Sequence, residues 1–289
     1  MMQSNRSTRF LTSVPDLAVV IPVHDEQDNV GPLAHDVDAA LTGVLEYEVI
    51  FVDDASTDST FPRLVGLARD HPRIRVLRHT KRCGQSTALR TGVTHARAPL
   101  VATLDGDGQN DPADIPRLLA TLATTDVDVS RTLVAGHRVK RRDSRLVRLS
   151  SRLANAVRSR ILGDETPDTG CGLKVFGRAM FLQLPYFDHM HRFMPALVRR
   201  AGGRVISVPV NHRPRLTGQS HYGVRNRLWT GIVDLIGVMW LTRRGKIATV
   251  MEALIPPPWE TTVVQPDGRG VWSQPSRGRP EGDGGGSVA

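Results

Sequence analysis

The apolar run LAVVIPV at 17–23 has the look of a strand buried on both faces, ended by Pro22 and the polar loop HDEQDN. VGPLAHDVDAAL (30–41) follows with helical spacing, then YEVIFVDD (47–54) as a second strand. DSTFPRLVGLARDH (58–71) predicts a second helix, capped by Ser56 or Asp58. RIRVLRH (73–79) is strand three, GQSTALRTGVTHARA (84–98) a helix and PLVATLD (99–105) strand four. DPADIPRLLATL (111–122) is a helix with Pro112 near its first turn, and TLVAGHR (132–138) is strand five. Strand and helix alternate four times across short loops. That pattern predicts an α/β, Rossmann-like domain: a mostly parallel sheet with helices on both faces.

After residue 143 the pattern changes. SRLVRLSSRLANAVRSRIL (144–162) is an amphipathic helix, and DTGCGLKVF (168–176) a loop entering a strand. PALVRRAGG (195–203) reads as a helix stopped by glycines, and RVISVPVNHRPR (204–215) as an edge strand, because it carries Pro209. NRLWTGIVDLIGVMWLTRR (226–244) is apolar through its middle, flanked by arginine, with Trp229 and Trp240 near its ends. Asp234 near the middle argues against burial in lipid. An interfacial helix is the preferred reading, a helix packed on the domain the alternative. The division is a flexible N-terminus (1–15), a main domain (16–225), the amphipathic helix (226–244) and a Pro/Gly/Ser-rich disordered tail (245–289).

Composition adds limits. A chain of 289 residues with 40% hydrophobic content can build one sizeable core. Two cysteines, Cys83 and Cys171, make no disulfide framework, and Cys171 reads as a small packing residue. The start, MMQSNRSTRFLTSVPD, has no hydrophobic stretch of signal-peptide length, and no run approaches the ~20 residues of a membrane span. The expected location is cytoplasmic. The net charge of +9 is unevenly spread: Arg138, Lys140, Arg141, Arg142, Arg145 and Arg148 crowd one stretch. A solvated helix face competes there with contact to phosphate or anionic lipid. Nucleic acid is not expected, since no recognition motif is present and aromatics are only 5%.

Carboxylates nevertheless gather where strands end. His24, Asp25 and Glu26 follow strand one, Asp53 and Asp54 close strand two, Asp105 and Asp107 follow strand four, and Arg138 ends strand five. Ligands of open parallel sheets bind along that rim. A dinucleotide fingerprint is excluded, because VIPVHDEQDN holds no glycine, and there is no phosphate-binding G-x-x-x-x-G-K-[ST]. A calcium loop is disfavoured: counted from Asp105, its glycine and glutamate positions hold Asn110 and Pro116. A hard divalent cation remains. Asp105 and Asp107, with glycine between them, aim two carboxylates at one point, and Gln109 could add a carbonyl oxygen. Such a cation would bridge a diphosphate and neutralise it as a leaving group.

The stretches VVIPVHDEQDNV, YEVIFVDDASTDST, TLDGDGQNDP, VAGHR, DTGCGLKVF and VPVNHRPRLTGQSHY occur in this order. The chain resembles the inverting family 2 glycosyltransferases of the GT-A fold over residues 17–244. Within them it is similar to the polyprenyl-phosphate sugar transferases of the dolichyl-phosphate mannose synthase and undecaprenyl-phosphate type. The resemblance implies that Pro22, His24 and Glu26 line a nucleotide pocket, with Asp53 and Asp54 at the base or ribose. It implies Mg2+ or Mn2+ on Asp105, Asp107 and Gln109. It gives Arg138 to the acceptor phosphate, with Arg148 and Ser151 beside it, and Arg215 to the donor diphosphate. Asp107, Arg138 and Arg215 are then the residues that carry catalysis. The implied partners are a nucleotide-diphosphate sugar, a polyprenyl phosphate and an anionic membrane surface, the protein sitting peripherally on the inner face of the cytoplasmic membrane. A membrane partner protein is compatible with this.

An acceptor phosphate is already an anion at neutral pH and attacks without a general base; the protein supplies alignment and charge stabilisation. A hydroxyl acceptor is the runner-up and needs a carboxylate base, for which Asp168 is the best candidate. A non-catalytic membrane-surface protein on the same fold is the reading from another class. Lys174 looks like a strand-edge lysine, more often solvated than functional. His189, His191 and His212 match no zinc spacing.

Overall fold

The computed structural model describes residues 14–124, 128–138, 160, 162–163, 166–214 and 224–244, with side chains of the last segment from 231, and two short strands further on. Its strands are β1 (Leu17–Val23), β2 (Tyr47–Asp53), β3 (Ile74–Arg78), β4 (Leu100–Thr103), β5 (Thr132–Arg138), β6 (Lys174–Gly177) and β7 (Arg204–Val210). The helices are α1 (Val30–Leu41), α2 (Thr60–Asp70), α3 (Gln85–His95), α4 (Ile115–Thr124), α5 (Arg178–Gln183), α6 (Met194–Arg200) and α7 (Val224–Arg244).

The sheet runs β3-β2-β1-β4-β6-β5-β7. β1 to β4 are mutually parallel where they pair, and β5 is parallel to β7. β6 is antiparallel to both neighbours, pairing Thr103 with Lys174 on one side and Ala135 with Lys174 on the other. The strand–helix alternation predicts β1 to β5 in register with their helices. It does not reveal that a four-residue strand from beyond residue 170 separates β4 from β5.

Side chains of β1 divide cleanly. Leu17, Val19, Ile21 and Val23 enter a core with α1, α2 and α4, while Ala18 and Val20 enter a second core with α3, α5, α6 and Val238 of α7. This two-sided burial explains the continuous apolar run. The strand spans Leu17–Val23, the range read from the sequence, and includes Pro22. β4 pairs with β1 only up to Val20, so the missing proline donor removes no ladder bond on that side. Pro209 lies on the edge strand β7, as its type requires.

Asp58 Oδ1 accepts from Thr60 N at 2.9 Å, but the cap position of α2 is Ser59, whose side chain makes no capping bond. Asp111 caps a single turn at Pro112–Asp114 that leads into α4. One face of α7 is packed: Val238 is 1% exposed, and Leu235 and Met239 lie against the same core. The opposite face carries Ile232, Val233, Ile236 and Trp240, each more than 40% exposed. Among the described residues no helix is long and apolar enough to cross a membrane. The helix expected over 144–162 and most of the tail lie outside the described residues. Residues 248–289 form a separate unit, in which Val263–Val264 pairs antiparallel with Gly270–Val271.

Candidate active site

The loops after β1 and β2 lock into each other. Asp25 N donates to Ser56 Oγ, Thr57 N to Asp25 Oδ1 at 2.7 Å, and Glu26 N to Thr60 Oγ1 at 2.9 Å. His24 places Nδ1 2.9 Å from the Asp54 carbonyl oxygen. Asp25 and Ala55 both hold left-handed backbone, with φ of 55° and 58°. For alanine that conformation costs on the order of 1 kcal/mol, and such outliers gather at functional rims. Glu26 accepts from Asn29 Nδ2 at 2.6 Å at the start of α1. The predicted nucleotide-pocket residues Pro22, His24 and Glu26 therefore share one rim with Asp53 and Asp54.

Asp53 and Asp54 are both buried. Asp53 Oδ1 accepts from Ser56 N, and Arg78 Nε stands 3.0 Å from Oδ2. Asp54 accepts from His79 Nδ1 at 2.7 Å, Cys83 N at 2.8 Å and Gly84 N at 2.7 Å. Burial alone would raise its pKa, but these donors outweigh it and hold the carboxyl below its ordinary value. Asp54 thus ties the loop after β3 to the end of β2. Asp54, His79 and Cys83 are also the one His/Cys/Asp group close enough to share an ion among the described residues. Both His79 nitrogens are already engaged, Nε2 by Thr91, so this cluster reads as a structural knot.

The loop after β4 is different. A Cβ on Gly106 would sit 2.7 Å from Val23 Cγ1 and 2.8 Å from Pro22 O, so only glycine lets the loop cross the end of β1 there. Asp105 and Asp107 flank that crossing. Asp105 N donates to Asn110 Oδ1, and Gln109 N donates to Asp107 Oδ1. The Asp105 carboxyl accepts from Gln85 Nε2 at 2.8 Å and lies so close to Gly172 that any Cβ there would overlap it. Burial, then the charge of Asp107, pushes Asp105 up to about 6, against the pull of Lys174 and Arg138.

Arg138 and Asp168 form a two-pronged pair beside it, Nε to Oδ2 at 2.6 Å and Nη2 to Oδ1 at 2.8 Å. Arg138 N also donates to Asp168 Oδ2, at 3.2 Å. Asp168, the candidate base for a hydroxyl acceptor, is therefore the anchor of the candidate acceptor arginine. Lys174 corrects its sequence reading. It is 3% exposed, lies in the central strand β6 and donates to the Cys171 carbonyl. Burial holds its pKa below the ordinary lysine value. Cys171 is fully buried, and burial raises its thiol.

Beyond the D-x-D loop the chain zips back onto it. Arg213 N donates to Gln109 O, and the Arg213 guanidinium bridges Asp36 at 2.5 Å and Asp111 at 2.7 Å. Arg148, Ser151 and Arg215 lie outside the described residues.

The profile of glycosyl transferase family 2 matches residues 18–184, and the chain belongs to that family: it is a glycosyltransferase with a GT-A fold. It is 36% identical over 235 residues to a dodecaprenyl-phosphate galacturonate synthase of Rhizobium johnstonii, covering 79% of this chain and 68% of the relative. It is 34% identical over 228 residues to an undecaprenyl-phosphate 4-deoxy-4-formamido-L-arabinose transferase of Edwardsiella ictaluri, covering 78% and 68%. Similar solved folds include a mannosyltransferase of Pyrobaculum calidifontis with GDP-Man and Mn2+ (22% identity, 82% of this chain and 67% of that one, TM-score 0.57). Another is glucosyl-3-phosphoglycerate synthase of Mycobacterium tuberculosis with Mg2+ and UDP (18% identity, 79% of each chain, TM-score 0.58).

Sequence reasoning missed Gln85, Ser86, Gly172 and His191. The first two were within reach, since the segment after strand three also ends on the carboxyl rim. Gly172 joins the site only because β6 inserts between β4 and β5, and His191 lies beside Ser86 because Met190–Arg192 packs on α3.

Proposed function

We propose that the protein moves a sugar from a nucleoside-diphosphate sugar to a polyprenyl phosphate, with inversion at the anomeric carbon. The observation that carries this is Asp105-Gly106-Asp107 at the end of β4, beside an arginine whose only described carboxylate partner is Asp168. The names of the two relatives, both polyprenyl-phosphate sugar transferases, point the same way. A phosphate oxygen of the lipid attacks the anomeric carbon as the bond to the diphosphate breaks, the electron pair leaving with the nucleoside diphosphate. No proton need be removed from such a nucleophile. Asp168 is already committed to Arg138 by three hydrogen bonds, which disfavours the hydroxyl-acceptor reading.

The two carboxylates, with Gln109 beside them, offer oxygen donors of the kind Mg2+ or Mn2+ takes. Burial, and after it the charge of Asp107, lifts Asp105 to about 6, and a bound cation would offset both. When bound, the ion supplies positive charge to the departing diphosphate. Arg138 orients the acceptor phosphate, the rim of β1 and β2 holds the nucleotide, and Arg215 faces the donor diphosphate.

Purified protein incubated with undecaprenyl phosphate and a panel of labelled nucleotide sugars tests this. Transfer to lipid that stops in EDTA is expected. Transfer only to hydroxyl acceptors, or turnover indifferent to EDTA, overturns the reading.

The acceptor lies at a bilayer surface, and α7 fits such a surface. Ile232, Val233, Ile236 and Trp240 form one exposed apolar face, with exposed Arg243 and Arg244 at its end. Asp234 does not face lipid: its carboxylate is 3.0 Å from His189 Nδ1 on the domain. The protein should sediment with anionic vesicles and be released by high salt, and truncation after Tyr222 should abolish that binding while nucleotide binding persists. Sedimentation indifferent to salt and truncation would move the membrane contact elsewhere.

A further inference from the structure

His191 lies in the one-turn segment Met190–Arg192, packed against the first turn of α3. Ser86 Oγ is 2.7 Å from His191 Nδ1, and the His191 backbone N donates to the same oxygen at 3.3 Å. Ser86 is 1% exposed and has no room to swing away. The hydroxyl oxygen accepts from the backbone N–H, and its own proton is assigned to Nδ1. Nδ1 is then the acceptor nitrogen, and Nε2 carries the ring proton. Burial holds the ring far below the usual histidine pKa, and Arg192 and Lys174 add to this, so the imidazole is neutral.

This ring is linked through its neighbours to the D-x-D loop. Its partner Ser86 adjoins Gln85, which donates to Asp105, and Lys174 acts on both His191 and Asp105. Nε2–H has no hydrogen-bond partner among the described residues, although the residue is only partly exposed. The basic nitrogen is closed off by Ser86, so His191 cannot take a proton from a substrate by that edge. What it offers is a fixed, uncharged donor.

We infer that His191 is a substrate-contacting residue, its Nε2–H donating to an oxygen of the sugar being transferred. A neutral donor suits a hydroxyl or ring oxygen: it orients the sugar without competing for the diphosphate, which the cationic groups attract. The proposal rests on the sugar-transfer reading, and it adds a residue that touches the sugar rather than the nucleotide, the cation or the lipid.

The test uses the full chain with Mn2+, with UDP and GDP as sugar-free probes, and with UDP-galacturonic acid, UDP-glucose and GDP-mannose as donors to undecaprenyl phosphate. His191→Ala should lower kcat/KM for the accepted donor by roughly 10- to 100-fold, the scale of leaving one buried polar group without its donor. Affinity for the matching sugar-free nucleotide should stay within about twofold if only a sugar contact is lost. His191→Gln, which keeps an N–H near Nε2, should recover most of the loss. Equal weakening of UDP or GDP would show that His191 acts through α3 and Asp105, and would overturn the proposal. So would unchanged turnover in His191→Ala. If wild-type protein transfers none of the sugars, the transferase reading fails. Calorimetry of nucleotide sugar against nucleotide then still decides His191, which should supply part of the difference. Melting temperature and circular dichroism monitor folding of each variant.

Discussion

The two halves of the carboxyl rim hold similar numbers of charged groups and treat them in opposite ways. Around β1 and β2 the carboxylates face donors from the protein. Asp54 takes three, Asp25 ties down Thr57, and Asp53 faces Ser56 and Arg78. Around β4, β6 and β5 the charges are crowded instead: Asp105 is raised by burial and by Asp107, and Lys174 is lowered by burial. The first half is a self-satisfied scaffold, the half to which the proposed function gives the nucleotide. The second keeps unfavourable electrostatics in reserve for charged ligands, an arrangement characteristic of reacting sites.

If that division is right, the largest effect comes from the crowded half. Asp107→Ala should reduce turnover by at least about 100-fold, the scale of one main electrostatic contributor. Its fold should persist; within its own loop Asp107 Oδ1 accepts from Gln109 N. Full activity in this variant, or in EDTA, would show that the crowding serves no cation. Gly172→Ala should follow closely without touching any charge. Its methyl group must displace the Asp105 carboxyl, and displacement by about 1 Å at a reacting centre costs on the order of 100-fold. Mn2+ affinity measured in the same variant checks the cause; unaltered affinity would separate Asp105 from the cation.

Much of this division is legible in the sequence. Period and loop chemistry locate β1 to β5 and α1 to α4, because long segments buried on one or two faces leave strong patterns. The clusters at 24–26, 53–54 and 105–107 follow from strand ends alone. The places of Lys174, Gly172 and His191 are not legible. His191 arrives where Met190–Arg192 packs on α3; the other two depend on β6, a strand of four residues with no resolvable period, whose antiparallel place between β4 and β5 follows from tertiary packing. The Asp168–Arg138 pair is hidden for the same reason: its members are thirty residues apart and meet only across that insertion. Asp234 argues against burial in lipid from sequence alone, but its partner does not show there: His189 stands opposite it only in the fold.

The Arg138–Asp168 pair gives a smaller, discriminating effect. Asp168→Asn keeps one oxygen acceptor for the guanidinium and removes the charge. If Asp168 only anchors Arg138, transfer to lipid phosphate should fall by roughly 10-fold or less. If it were a general base the loss would be about 100- to 10,000-fold, with a hydroxyl acceptor the preferred substrate. The acceptor series measured on wild type and variant separates the two.

The smallest effects are in stability, and there the two halves should differ in sign. Asp105 titrates near 6 in the folded protein against an ordinary 3.8, so folding without a cation favours its protonated form. Its contribution therefore declines as pH rises from about 4 to about 6, and the full penalty of the charge applies above that window. Asp54 is lowered by its donors, so its contribution is present above about 4 and is lost as pH falls through its depressed value. Melting in EDTA at pH 8 should thus find Asp105→Asn as stable as wild type or more so. Asp54→Asn, which turns an amide toward the Cys83 and Gly84 N–H groups, should lose about 1–3 kcal/mol. At about 2–4 °C per kcal/mol that is a drop of several degrees. Adding Mn2+ should raise the wild-type melting temperature and leave Asp105→Asn nearly unmoved, since only a ligand bound by the folded state stabilises it. Metal affinity should weaken below about pH 6, where protons compete for Asp105. Should Asp105→Asn melt as low as Asp54→Asn, the carboxylate at β4 would be a structural anchor like its counterpart at β2, and the contrast between the two halves of the rim would disappear.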